Sequence, residues 1–134
     1  NLKIKSAIKS GLKIIFCIGE TLKERRQKKT NQILKRQIEK GLKSIKNKSK
    51  IIIAYEPVWS IGTGVIPKEA DLNKTISFIK SRFVKKYPKI LYGGSVNNNN
   101  VSILKKIASI DGFLIGGASQ NPKKFIDIIK KTIN

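Results

Sequence analysis

Short runs of apolar residues alternate along this chain with longer stretches in which apolar residues recur every three or four positions. The short runs are rich in β-branched residues and lack polar alternation, which is typical of strands buried on both faces of a parallel sheet. These runs are Ile14–Ile18, Ile51–Tyr55, Ile90–Tyr92 and residues 113–115. The pattern predicts four buried parallel strands.

Each run is followed by a stretch of helical periodicity, and a further helix ending at Gly11 precedes the first run. Helix starts are indicated by Pro67, by the polar cluster 97–100, and by Asn121 followed by Pro122. The predicted buried stripes consist of Ile33, Leu34, Ile38, Leu42 and Ile45; Leu72, Ile76, Ile79 and Phe83; Val101, Leu104 and Ile107; and Phe125, Ile126, Ile129 and Ile133.

The predicted order is one helix followed by four strand–helix units. Such an order is typical of a parallel sheet covered by helices, joined by right-handed connections. Four units make half of an eight-stranded barrel or a short open sheet, and the pattern alone leaves both open. No linker-like segment interrupts residues 1–134, so a single domain is expected.

Composition narrows the functional classes. The chain has 134 residues, of which 40% are hydrophobic, and no apolar window approaches the roughly 18 residues of a membrane span. A secretory signal is not recognisable at the N-terminus, so a cytosolic location is expected. Cys17 is the only cysteine, which excludes an internal disulfide, and we expect it to be a buried apolar residue. The sequence contains no His and no Met, so the start was processed or the chain is part of a longer one.

The net charge of +21 raises the alternative of a nucleic-acid-binding module. Only Arg25, Arg26, Arg36 and Arg82 are arginines, and the many lysines are spread along the chain instead of forming one block. Lysine is also the weaker residue for reading bases. We therefore favour a compositional bias, solvated on helix faces, and expect no nucleic-acid partner.

The residues that follow the predicted strands carry the candidate chemistry, because active sites lie at the carboxyl ends of parallel strands. Glycines recur there, and their backbone N–H groups can approach an anion closely. The predicted cage for one phosphate group consists of Gly62, Gly94, Ser95, Gly116 and Gly117. Simple tight turns are the alternative explanation for any one of these glycines.

Glu56 directly follows a strand and precedes Pro57. A carboxylate at this position suits a general base that removes a proton from a carbon next to a carbonyl. A surface ion pair with one of the many lysines is the alternative. Trp59 lies in a loop of Ser, Gly and Thr, which favours a closing lid over a packing role.

Four segments together resemble the triosephosphate isomerase family, over essentially the whole chain. They are residues 17–20 (CIGE), 54–64 (AYEPVWSIGTG), 92–96 (YGGSV) and 111–119 (DGFLIGGAS), in the family's order. The resemblance implies the C-terminal half of a (β/α)₈ barrel, a TIM barrel, from the end of the fourth helix through strands five to eight. It implies interconversion of dihydroxyacetone phosphate and glyceraldehyde 3-phosphate in glycolysis and gluconeogenesis, through an enediolate, without cofactor or metal.

The resemblance also assigns roles. Glu56 matches the catalytic base, and Gly62, Ser95, Gly116 and Gly117 match the phosphate-binding positions. Glu20 and Tyr92 match residues that contact the lid, Glu20 near the Trp59 indole and Tyr92 near the lid backbone. The implied lid consists of Pro57, Val58, Trp59, Ser60, Ile61, Gly62, Thr63 and Gly64.

Two departures from the family qualify these expectations. The end of the lid reads Val65-Ile66-Pro67, which is stiffer than the family's usual small, polar hinge. The family's electrophilic His and its substrate-holding Lys and Asn come from strands one and four, which this sequence lacks. We therefore expect a partial barrel that is inactive alone and a homodimer in the complete protein. Another sugar-phosphate enzyme on the same barrel is the alternative, but it is not expected to share the 54–64 segment.

Overall fold

A computed structural model describes residues 1–83 and 88–133. Helices and strands alternate along them as the periodicity predicts. The strands are β1 (Ile14–Ile18), β2 (Ile51–Tyr55), β3 (Ile90–Tyr92) and β4 (Gly112–Phe113). The helices are α1 (Leu2–Lys9), α2 (Leu22–Arg26), α3 (Thr30–Gly41), α4 (Glu69–Ser81), α5 (Val101–Leu104) and α6 (Pro122–Ile133), with a 3₁₀ turn at Gly117–Gln120.

The strands form one parallel sheet in the order β1-β2-β3-β4. The register places Ile14 beside Ile51, Ile53 beside Ile90 and Leu91 beside Gly112. A doubly wound open sheet reverses its strand order at a switch point, whereas a barrel adds strands in sequence. The sequential order is therefore that of a barrel segment, which settles the alternative that the pattern left open.

The core lies between the sheet and the helices that cover one of its faces. Strand residues Ile53, Tyr55 and Ile90 are fully buried there against helical residues of α3 and α4. The fully buried helical partners are Leu34, Leu72, Ile76 and Ile79. Leu42 and Ile45 are buried as predicted, although α3 ends at Gly41, before both residues.

Three expectations about burial and bounds are wrong in detail. The fourth strand is Gly112–Phe113 and not residues 113–115, although the Leu114 N–H still donates to the Tyr92 carbonyl at 3.0 Å. In β1 the residues alternate in exposure, because only the face toward the helices is covered. On α6 the buried residue is Ile128, while three predicted core residues are exposed: Ile126, Ile129 and Ile133.

Helix α2 was not predicted by the apolar pattern, because its residues contribute nothing to the buried core. It begins with a capping box, in which Thr21 accepts from the Glu24 N–H and the Glu24 carboxylate accepts from the Thr21 N–H at 2.8 Å. The Thr-x-x-Glu spacing is a sequence signal for such a start. These hydrogen bonds lower the pKa of the Glu24 carboxyl.

Among the described residues, no helix combines the length and apolarity needed to cross a membrane.

The chain on its own is expected to self-associate. Within the described residues, β1 pairs only with β2 and β4 only with β3, so both outer edges carry unpaired backbone groups. Ile15 on β1 is 46% exposed and Ile133 on α6 is 78% exposed. Sizing chromatography across a concentration series should detect species larger than the 15.0 kDa monomer. A single monomer peak with a cooperative near-UV circular dichroism melt would contradict this expectation.

Candidate active site

The loops after β1, β2 and β3 are tied together by a continuation of the sheet's hydrogen bonds. The Glu56 N–H donates to the Ile18 carbonyl at 2.8 Å, and the Gly93 N–H donates to the Tyr55 carbonyl at 2.9 Å. The Val58 N–H donates to the Glu20 carbonyl at 3.0 Å. Candidate residues from three separate loops are therefore held at one edge of the sheet.

Glu56 is partly buried, and its carboxylate occupies space that a side chain at position 93 would fill. A Cβ on Gly93 would lie 2.7 Å from the Glu56 Cγ and 2.9 Å from its Oε1. Glycine at 93 thus makes room for the carboxylate. On the other side, Glu56 accepts a hydrogen bond from the Cys17 thiol.

Cys17 is exposed, which corrects the expectation of a buried cysteine. It lies on the face of β1 that no helix covers, since its neighbours Phe16 and Ile18 take the covered face. Desolvation by the surrounding chain raises the pKa of the thiol to about 11, and the hydrogen bond and negative charge of Glu56 act in the same direction. The thiol is therefore protonated at neutral pH.

Glu20 is a fully buried carboxylate held by three side chains. The Tyr55 hydroxyl lies 3.1 and 3.2 Å from its two oxygens, and the Trp59 indole N–H donates to Oε1 at 3.1 Å. The Arg25 guanidinium completes the set at 3.4 Å. Burial, followed by the charge of Glu20, raises the pKa of Tyr55, so the phenol remains a hydrogen-bond donor.

The loop after Trp59 is fastened at its far end by Ser60 and Ser95. The Ser95 hydroxyl donates to the Ser60 carbonyl at 2.5 Å and accepts from the Gly64 N–H at 3.0 Å. The Ser60 hydroxyl donates to the Val65 carbonyl at 2.5 Å, so Tyr92 is the donor in the 3.2 Å contact between Tyr92 Oη and Ser60 Oγ. Gly62 has a φ of +71°, which favours glycine at the tip.

Comparison with known proteins identifies the family of this chain. A family model described as triosephosphate isomerase matches residues 1–132. The chain belongs to the triosephosphate isomerase family.

Curated relatives extend this finding. The triosephosphate isomerase of Thermodesulfovibrio yellowstonii is 46% identical over 136 residues, covering 97% of this chain and 55% of that protein. That of Candida albicans is 43% identical over 138 residues, covering 98% and 55%, and that of Mycoplasma mobile is 46% identical over 130 residues, covering 97% and 53%. The chain therefore spans about half the length of these triosephosphate isomerases.

The structure brings together most of the positions that resemble the family's site. The segment from Trp59 to Gly64 contacts Glu20, Tyr92 and Ser95. Tyr92 reaches it through the Ser60 side chain, although the expected contact was with the lid backbone.

Gly116 and Gly117 are exposed, and a Cβ on either would meet no atom within 4 Å. The described residues include no hydrogen bond between this pair of glycines and the segment from Pro57 to Gly64. The two glycines therefore face open space.

Sequence reasoning missed Arg25. Its guanidinium also lies 4.8 Å from the centre of the Trp59 ring and donates to Asp71 at 3.0 Å. One arginine among 29 basic residues carries no pattern that singles it out.

Thiol chemistry tests the contact between Cys17 and Glu56. A thiol of pKa about 11 should react at pH 8 about a hundredfold more slowly than one at the ordinary value of 9.0, because the thiolate is the nucleophile. Glu56→Gln removes the neighbouring negative charge, lowers the pKa of Cys17 and should accelerate the reaction. Ellman's reagent measures it in the folded chain, since Cys17 is the only cysteine.

The control is Glu39→Gln, which removes an exposed carboxylate from α3. Equal rates for Glu56→Gln and the unchanged chain would contradict the contact.

Proposed function

We propose that this chain supplies the catalytic base, the lid and the phosphate-binding loops of a triosephosphate isomerase. The observation that carries the proposal is the placement of Glu56 between Cys17 and Gly93, directly before a loop fastened to Ser95. The proposed base and the proposed lid are thus consecutive in the chain. The family match over residues 1–132 supports the same proposal.

In this mechanism Glu56 removes a proton from the carbon next to the substrate carbonyl and returns it to the neighbouring carbon. The carbonyl oxygen carries negative charge in the intermediate enediolate. That intermediate loses its phosphate when exposed to water, so the loop from Pro57 to Gly64 has to cover it. Lid closure over the substrate is a general feature of this enzyme family, and this loop is its counterpart here.

Phosphate binding is assigned to Gly62, Ser95, Gly116 and Gly117. The open space above Gly116 and Gly117 admits an anion to their backbone N–H groups, and a 3₁₀ turn begins at Gly117. The Ser95 hydroxyl already contacts the loop through Ser60 and Gly64. A phosphate bound there would touch the lid and the fixed loops together, which links substrate binding to closure.

The full reaction needs groups that this chain does not contain. An electrophile must polarise the carbonyl oxygen, and the sequence has no His for that role. We therefore assign the activity to an assembly that also contains the portion of the relatives not matched here. A single barrel domain across both portions, a homodimer and a cytosolic location belong to the same proposal.

Glu56→Gln tests the base. The assay uses this chain joined to the portion of the Thermodesulfovibrio yellowstonii relative that it does not match. Loss of a general base should lower the isomerisation rate by about 10² to 10⁴, while a phosphate-bearing inhibitor should still bind. The matched control, Glu39→Gln, removes a surface carboxylate on α3 and should leave the rate unchanged. A Glu56→Gln rate within tenfold of the unsubstituted protein would contradict the assignment.

Ser95→Ala tests the phosphate site in the same assembled protein. Loss of a hydrogen bond to a charged group costs about 1.5–3 kcal/mol, so affinity for a phosphate-bearing analogue should fall about 10- to 150-fold. Affinity for the matching analogue without phosphate should change little, as calorimetry can determine. Ser81→Ala is the control, because the Ser81 hydroxyl donates within α4, to the Phe78 carbonyl. Equal losses for both analogues would place the phosphate elsewhere.

A further inference from the structure

Arg25 contacts the lid segment near its start, at Trp59. Its guanidinium lies over the Trp59 ring, 4.8 Å from the ring centre, and one nitrogen contacts Glu20 Oε1 at 3.4 Å. The same Glu20 oxygen accepts from the Trp59 indole N–H. Arg25 therefore holds Trp59 in two ways: it stacks on the face of the indole ring, and it binds Glu20, the carboxylate that accepts from the indole N–H.

The other arm of Arg25 reaches beyond the end of the lid. Its second nitrogen donates to Asp71 Oδ2 at 3.0 Å. Asp71 lies in the first turn of α4, which begins at Glu69 just after the Val65-Ile66-Pro67 hinge. A single planar guanidinium thus connects the tryptophan at one end of the lid to the helix at the other.

We propose that Asp71 is a positioning residue for the lid, acting through Arg25 to keep the Trp59 indole on Glu20. This inference rests on the lid role proposed above. It adds Asp71, a residue outside both the lid and the phosphate site. Arginine suits this position because its fork donates in two directions while its flat face stacks on an aromatic ring. A lysine offers one charge centre and cannot make the three contacts together.

We call the set of contacts that Arg25 makes with Asp71, Glu20 and Trp59 the clamp. The exposure of its members indicates which contact breaks first. Glu20 is fully buried, but Arg25 is 24% and Asp71 47% exposed. The Asp71 contact is therefore the weaker one, exchanging with water more readily than the buried contacts to Glu20. Asp71 controls how firmly Arg25 is oriented, while Glu20 remains in place when the lid moves.

Trp59 fluorescence measures the clamp directly, because it is the only tryptophan of the chain. The measurement uses the assembled protein described above, with every Trp of the added portion replaced by Phe. Asp71→Asn should raise the acrylamide quenching constant of Trp59 about twofold, within the roughly one- to fivefold range that loss of a half-exposed ion pair allows. Fluorescence anisotropy should fall in parallel.

Three further variants separate positioning from general stability. Glu69→Gln removes the same charge from the same turn of α4 and should leave Trp59 unchanged. Asp71→Glu keeps the carboxylate and should restore most of the protection. Arg25→Lys keeps the positive charge but loses the fork, so it should expose Trp59 at least as much as Asp71→Asn does.

The outcomes are decisive in either direction. Increased quenching in Asp71→Asn and Arg25→Lys, with Glu69→Gln unchanged, supports the clamp. Quenching that is unchanged in Asp71→Asn, or raised equally by Glu69→Gln, overturns it. Because fluorescence does not require turnover, an inactive assembled protein would refute the proposed function and still give a result for the clamp.

Discussion

One buried carboxylate organises this end of the molecule. Glu20 is fully buried in a chain that carries only eight acidic residues against 29 basic ones. A buried charge is tolerated only when hydrogen-bonded and paired, and removing one partner from such a pair costs about 3–5 kcal/mol. Tyr55 from β2, Trp59 from the lid and Arg25 from α2 meet that requirement together. The position of Trp59 thus follows from the hydrogen bonds and ion pair that this one buried carboxylate requires.

The candidate base, Glu56, is positioned in contrast by the space that Gly93 leaves for its side chain. Glu56 is directed by its backbone hydrogen bond to Ile18 and by the absence of a side chain on Gly93. The carboxylate fills the space that glycine leaves at position 93, and the protonated Cys17 thiol lies on its other side. Glu20 is thus held by hydrogen bonds and an ion pair, whereas Glu56 is held by its close packing against Gly93.

Local pattern was sufficient to predict the first three strands, because Ile14–Ile18, Ile51–Tyr55 and Ile90–Tyr92 are bounded by clear changes from apolar to polar residues. The fourth strand was misplaced, since a two-residue strand at the sheet's edge is defined by pairing with β3 and not by its own apolar run. The exposure of Cys17 and of Ile129 depends on which faces of the sheet and of α6 pack against other elements. Periodicity in the sequence does not show which faces are packed.

The residues of the candidate site also fall into those that the local sequence reveals and those that only the fold reveals. Motif resemblance found Glu20, Glu56, Trp59 and Ser95, because their neighbours in sequence form long, specific segments. It missed Arg25 and Asp71, whose contact joins residues 46 positions apart on two helices. The charge composition did not single out Arg25, because 29 of the 134 residues are Lys or Arg. A long-range ion pair becomes visible only when the fold has brought both partners to one place.

Glu56 directly precedes the proposed lid, so a movement of the lid can reach its side chain through the backbone. Glu56 is followed at once by Pro57, whose fixed backbone angle and full burial stiffen the junction, and then by the exposed Val58. A displacement of Trp59 is transmitted toward the carboxylate over three peptide units, with the proline limiting how much of it is absorbed. Contacts that hold Trp59 on Glu20 therefore also constrain the position of Glu56. In the function proposed above, such a coupling would bring the base into position as the lid excludes water from the intermediate.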